Sequence, residues 1–176
     1  MASRGFIELL RLADLAKARK SGRQGGQELD WRGVVFEVGG HRLIAPMGEI
    51  SEVLSMPEFT SVPMVQPWLL GIANVRGRLL PLTDLAKFLQ LSGRQTPISQ
   101  RKVMVIDQQA MFSGLLVDKV IGIEPFAKNQ YRAEPINIDS PFAPYNHGKF
   151  LKNKQEWFVF MPSLLAQNPR YIDASL

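Results

Sequence analysis

The residues of this 176-residue sequence best suited to proton transfer or metal binding are its two histidines, His41 and His147. Neither has a partner at the spacing of a zinc pair or of a nucleophile and its base, so each reads as a surface histidine. The absence of cysteine removes disulfides, thiolate ligands and cysteine nucleophiles together, and with them a disulfide-stapled secreted scaffold or a zinc finger. Glu49 and Glu52 are three apart in an alternating segment, where odd spacing places two side chains on opposite faces and leaves no paired acid and base. Asp107 and Asp118 fall at predicted strand ends, as turn caps. The "HGK" at 147–149 has no phosphate-loop context, and neither a P-loop nor a dinucleotide fingerprint occurs. No enzyme is legible, and no cofactor or metal is expected.

The formal charge of +5 raises the alternative of a small-barrel nucleic-acid-binding protein. Its distribution argues against that. Residues 1–32 hold seven Lys/Arg against four Asp/Glu, residues 33–89 hold four against five, and the remainder ten against seven. The excess does not form one stripe on the folded body, and aromatics are not interleaved with basic residues; "WFVF" at 157–160 contains neither Lys nor Arg. No uninterrupted apolar run approaches the ~20 residues a membrane helix needs, so no membrane insertion is expected, and the chain reads as soluble and cytoplasmic.

The elements that must position any site follow from the pattern. "RGFIELLRLADLAKARK" at 4–20 spaces Phe6, Leu9, Leu10, Ala13 and Ala16 as an amphipathic helix, and the Gly-rich "SGRQGGQELD" at 21–30 reads as a linker. Residues 1–30 are thus expected to form an arm, and residues 31–176 the folded domain. "GVVFEV" and "HRLIAP" flank Gly39-Gly40 as a hairpin, "EISEVL" at 49–54 reads as a strand, and the prolines of "SMPEFTSVPMVQPW" make an ordered loop with apolar anchors. "LLGIANV" and "RLLPLTD" flank Arg76-Gly77, with a short helix beginning near Asp84. In the turn, Gly77 supplies a positive φ and Asn74 satisfies local backbone groups.

A second run, "RKVMVIDQQAMFSGLLVDKVIGI", repeats this logic. At a shift of 70, Val35 falls on Val105, Phe36 on Ile106, Ala45 on Leu115, Met47 on Val117, Ile50 on Val120 and Val53 on Ile123; at a shift of 78, "LLPL" meets "WFVF". The expected fold is mainly all-β: two similar small antiparallel barrels packed together, with brief helices. Residues 125–148 read as an irregular excursion anchored by Phe126, Tyr131, Phe142 and Tyr145.

"LLGIANVRGRLLPLTDLAKFL" resembles the signature of the CheW family, the coupling proteins of bacterial chemosensory arrays, through Asn74, Arg76, Gly77, Pro81, Asp84 and Leu85. "HRLIAPMGEISEVL" resembles the family's second and third strands, and "MFSGLLVDKVIGI" its Gly-x-x-Val-Asp-x-Val segment. The resemblance covers roughly residues 31–165 and implies two five-stranded SH3-like barrels around a shared core. It implies an adaptor that bridges the cytoplasmic tip of a methyl-accepting chemoreceptor and the regulatory domain of a histidine kinase, recruited to membrane-associated receptor arrays. Arg76 is then expected to pair with Glu49. A receptor-binding groove is expected near Met47, Glu49, Ile50, Ala73, Val75, Arg76, Leu115 and Val117, and a kinase contact at Leu54, Met56, Phe59 and Val62. The chain departs from the family pattern in its N-terminal extension and in Met161-Pro162 after the last strand. Similar extensions occur in coupling proteins of pilus-associated systems that govern twitching motility.

Overall fold

A computed structural model describes residues 31–93 and 96–176; the arm expected over residues 1–30 lies outside the described residues. Strands β1 (Trp31–Val38) and β2 (His41–Pro46) form a hairpin whose Gly39 and Gly40 stand at φ +55° and +82°. A two-residue loop with both φ positive twists in the sense of its strands, and here it sets Val38 opposite His41. Residues Met47–Glu49 then form a 3₁₀ turn, and β3 is confined to Glu52–Ser55, so the strand expected over 49–54 begins late. After the proline-rich loop, β4 (Leu69–Val75) and β5 (Arg78–Asp84) form the second hairpin. The helix α1 (Leu85–Phe88) is capped by Asp84, whose carboxylate accepts the Lys87 N–H at 3.2 Å.

The second half repeats the order. Strands β6 (Lys102–Gln108), β7 (Met111–Val117) and β8 (Lys119–Phe126) are followed by the two-residue β9 (Tyr131–Arg132), then β10 (Asn146–Lys152) and β11 (Gln155–Phe160). A 3₁₀ segment Pro162–Gln167 and α2 (Pro169–Ile172) close the chain.

The two halves exchange strands. One sheet has the order β8-β1-β2-β11-β10-β9 and the other β3-β6-β7-β5-β4, so each combines the opening hairpin of one half with the later strands of the other. The shift of 70 holds in the register: Glu52 faces Val105 as Gly122 faces Val35. The shift of 78 does not. Leu82 pairs in parallel with Gly114 and Val159 with Ile44, and since Ile44 and Gly114 are equivalent at 70, the closing strands are equivalent at 77. Runs as apolar as "LLPL" and "WFVF" match at any register, and only the inward–outward alternation, which a one-residue slip inverts, distinguishes one from the next. These two pairings also make each sheet mixed rather than wholly antiparallel.

Neither sheet closes through its backbone. Strands β3 and β4 are opposite edges of the five-stranded sheet, yet Arg76, at the tip of the β4–β5 hairpin, reaches Glu52 on β3, which requires the sheet to curl until its edges meet. In the six-stranded sheet Lys152 on β10 reaches across to Glu124 on β8 and donates to the Pro125 carbonyl at 2.6 Å. Closure of these half-barrels is therefore made by side chains.

Three apolar clusters result. The largest lies between the sheets and takes Val34, Phe36, Met104, Ile106, Leu115, Val117 and Phe160 from both, with Phe88 of α1. Trp31, Val35, Ile44, Phe126, Tyr131 and Phe150 fill the six-stranded half-barrel, and Ala73, Leu80, Leu82, Val103, Val105 and Leu116 fill the five-stranded one. Residues on β1 and β6 are buried on both faces, which explains their unbroken apolar runs. Phe126, Tyr131, Phe142 and Tyr145 are all buried and anchor the 125–148 excursion as expected.

Candidate functional site: the Arg-Gly hairpin and the seam between the sheets

The Asn-x-Arg-Gly turn is built from local backbone chemistry. The Asn74 Oδ1 accepts the Gly77 N–H at 3.0 Å, and Gly77 takes φ +78°. Arg76 also takes a positive φ, +52°, an arrangement a two-residue turn of this hand demands and that costs a non-glycine residue energy. Its guanidinium projects from the hairpin tip and donates to Glu52 Oε2 at 2.7 Å.

The expected Arg76–Glu49 pair is thus replaced by Arg76–Glu52. The 3₁₀ turn at Met47–Glu49 breaks the alternation, so Glu49 points inward and is 5% exposed. Its Oε1 accepts the Ser163 hydroxyl at 2.6 Å and its Oε2 the Ser163 N–H at 3.0 Å, which ties the first half of the chain to the segment after β11. Burial holds the Glu49 carboxyl above its ordinary range, against the opposing pull of the two Ser163 hydrogen bonds and of His147.

Met47 and Ile50 are half-buried and pack against the central cluster, on the turn that lies against both β1 and β6. Two edge-strand residues extend this apolar margin. Val53 faces Met104 across β3–β6, and Ile123 faces Val34 across β8–β1; cross-strand partners share a face, so both side chains lie on the side of the central cluster. They remain 42% and 57% exposed, Ile121 is 45% exposed, and Val120 is half-buried against the same cluster. Exposed apolar side chains thus stand on the edge strands β3 and β8, one in each sheet, beside residues of the central cluster. Val53, Val120 and Ile123 are not among the residues expected there, although the shift of 70 already equates Val53 with Ile123 and Ile50 with Val120.

Ala73, Leu115 and Val117 are corrected. All three are buried core: Ala73 on β4 faces the interior of the five-stranded half-barrel, and Leu115 and Val117 lie in the central cluster on β7, an interior strand covered on both faces. Val75 is half-buried against the half-barrel interior. Leu54 on β3 and Met56 in the proline-rich loop also turn toward that interior, and Val62 is half-buried. Phe59 stands out at 36% exposure, packed over Gly71, where Thr60 and Ile72 exchange backbone hydrogen bonds of 2.9 Å in both directions.

One residue with no signal in the sequence organises the opposite end. Arg101 is buried between two carboxylates, its Nη1 3.1 Å from Asp84 Oδ2 and its Nε 3.7 Å from Asp118 Oδ1, while Nε donates to the Thr96 carbonyl at 2.7 Å. Asp118 in turn accepts the Gly39 N–H at 2.7 Å. Asp118 stands between β7 and β8, at a strand end as expected, and Asp84 ends β5, but their partner is an arginine at the close of a polar loop. Asp107 pairs with Arg78 at 2.7 Å, and Arg78 lies 3.7 Å above the Phe112 ring. His41 is exposed and His147 half-buried. Among the described residues no three His, Cys, Asp or Glu side chains converge as a metal site requires, and no helix is long and apolar enough to cross a membrane.

This arrangement has known counterparts. The family model described as the CheW-like domain matches residues 32–168. Protein PilI of Pseudomonas aeruginosa is 40% identical over 147 residues, covering 83% of this chain and 81% of PilI. Chemotaxis protein CheW of Thermotoga maritima is 27% identical over 113 residues, 64% of this chain and 72% of that protein. The crystal structure of the scaffolding protein TtCheW from Thermoanaerobacter tengcongensis superposes with a TM-score of 0.66 at 20% identity, over 75% of this chain and 89% of that one, a likeness of fold.

Proposed function

The chain belongs to the CheW-like family, and we propose that it is a non-enzymatic adaptor that couples the cytoplasmic tip of a chemoreceptor to the regulatory domain of a histidine kinase. The observation that carries this reading is the apolar surface bordering the central cluster, where Met47, Ile50 and Val120 are half-buried and Val53 and Ile123 are exposed on edge strands, side chains of the kind that receive the apolar face of a helix. Arg76 and Glu52 stand at a rim of the curled sheet that contributes Val53, where a fixed pair sets geometry more than stability. Phe59, on the ordered loop, is the residue we assign to the kinase contact, with Leu54 and Met56 turned toward the half-barrel interior. The N-terminal extension and the likeness to PilI support a pilus-associated variety with twitching motility as its output.

The test mixes the protein with the regulatory domain of its cognate kinase and follows complex formation by size exclusion and calorimetry at two salt concentrations. Saturable one-to-one binding that persists at the higher salt, weakened at least tenfold by Phe59→Ala, is the expected result. No kinase binding, with steeply salt-sensitive binding to nucleic acid in its place, overturns the reading.

A further inference from the structure

We propose that residues 174–176 position the loop that carries Phe59: they fasten its exit by backbone pairing with residues 64–66, and this fastening sets the affinity for the kinase regulatory domain; the affinity part rests on Phe59 being the kinase contact. The proline-rich loop is held separately at its two ends. At its entry, Thr60 and Ile72 exchange backbone hydrogen bonds of 2.9 Å along the outer edge of β4. Gly71 permits that approach, because a Cβ there would collide with the Thr60 carbonyl. At its exit the partners come from the other end of the chain. The Gln66 N–H donates to the Ala174 carbonyl at 2.7 Å, the Leu176 N–H to the Met64 carbonyl at 3.2 Å, and Gln66 Nε2 to the Ser175 carbonyl at 3.2 Å, with Val65 and Ser175 opposite each other. Trp68, just before β4, is buried and stacks on Tyr171 at 5.6 Å.

Two local features show that this exit pairing is built rather than incidental. Asp173 Oδ1 accepts the Ser175 N–H at 3.0 Å and the Ser175 hydroxyl at 2.6 Å, a turn that directs residues 174–176 back along the loop. Met64 takes φ +59°, which costs a non-glycine residue energy and persists only where the surroundings hold it. Its side chain is 76% exposed, so packing does not hold it; its carbonyl is the one that accepts from Leu176. With both ends fastened, only residues 61–63 run between the pairings, and release of the exit lengthens that free run to 61–67. A partner that docks on a loop ordered beforehand does not bear the entropy of ordering it, so the exit pairing favours association without touching the partner.

Asp173→Ala combined with Leu176→Pro in the full chain removes the turn and one N–H donor while altering only exposed side chains. In hydrogen exchange of the free protein, the Gln66 and Thr60 amides should exchange faster than in the native chain, with those of β6 and β7 unchanged. In calorimetry with the kinase regulatory domain, this variant should bind roughly three- to tenfold more weakly. Leu176→Ala keeps the N–H and should retain native Gln66 protection and affinity. In a Phe59→Ala background the same release should change affinity less than about twofold, since it acts through the presentation of Phe59. Unchanged Gln66 exchange in the released variant, unchanged affinity once Gln66 is released, or equal weakening by Leu176→Ala overturns the proposal. The exchange needs no partner, so a native chain that binds no kinase domain would sink the adaptor reading and the affinity part with it, whereas kinase binding that responds to Phe59→Ala and ignores the released loop would sink this one alone.

Discussion

Arg76 Nη2 donates to Glu52 Oε2 at 2.7 Å across the two opposite edges of a single five-stranded sheet. The pair lies at the mouth of the half-barrel, with side chains 77% and 25% exposed, so water screens it. A double-mutant cycle with Arg76→Ala and Glu52→Ala should therefore give a coupling of about 0–1 kcal/mol in urea unfolding, smaller still at high salt. A coupling above about 2 kcal/mol would mean that the pair holds the sheet closed energetically rather than setting its shape. Arg76→Gly should be more stable than Arg76→Ala, since both lose the pair while only alanine keeps a Cβ at φ +52°.

The second hairpin was legible residue by residue. Leu69–Val75 and Arg78–Asp84 have the bounds that "LLGIANV" and "RLLPLTD" suggest, because a two-residue turn with Gly77 and a capping Asp84 punctuate them. The strand exchange was not legible. The two halves present nearly the same local pattern, so β3 could pair with β1 or with its equivalent β6 on alternation alone, and only long-range packing selects β6. The Arg76–Glu49 expectation failed for a local reason, the 3₁₀ turn at 47–49 that resets which side chains face out. Arg101 had no signal because its two aspartates lie far from it along the chain, and charged residues in a polar loop are ordinarily solvated.

Arg101 is expected to be the most sensitive surface-distant charge in the protein. Its side chain is 8% exposed, Asp84 3% and Asp118 13%, so removing the cation strands two carboxylates away from water. Arg101→Met should cost about 3–5 kcal/mol in urea unfolding, with little dependence on salt. Arg101→Lys should recover only part of this, because one ammonium cannot replace a guanidinium that spans both carboxylates and the Thr96 carbonyl. A loss below 1 kcal/mol in Arg101→Met would show that water or a rearranged loop reaches the aspartates.

Glu49 should give the protein a contribution to stability that weakens as pH rises. Burial raises its pKa above the ordinary 4.5, so the folded state holds this proton more tightly than the unfolded chain. The contribution to stability is fully present below about 4.5 and is lost as pH rises through the folded-state value. Urea melts of the native chain and of Glu49→Gln across that range isolate the effect by difference. The native chain's stability relative to the variant should fall as pH rises. A relative stability that climbs with pH would mean that the two Ser163 hydrogen bonds outweigh desolvation and hold the pKa down.

Tyr171 makes the C-terminal segment part of the five-stranded sheet's stability. Its ring stacks on Trp68 at 5.6 Å and meets Phe88 edge-on at 5.3 Å, while its hydroxyl is shared with Thr83 Oγ1 on β5, at 3.2 Å, and with Ser113 Oγ on β7. Thr83 and Ser113 are buried on the two strands of the parallel pair, and one phenol serves both. Tyr171→Phe keeps the stack and leaves two buried hydroxyls without this partner, an expected cost of about 1–3 kcal/mol in thermal or urea unfolding. Adding Ser113→Ala should recover part of that loss, because it removes one of the stranded groups. If the double variant is instead less stable by the sum of the two single effects, the hydroxyl network is not the reason Tyr171 matters, and its aromatic packing carries the segment alone.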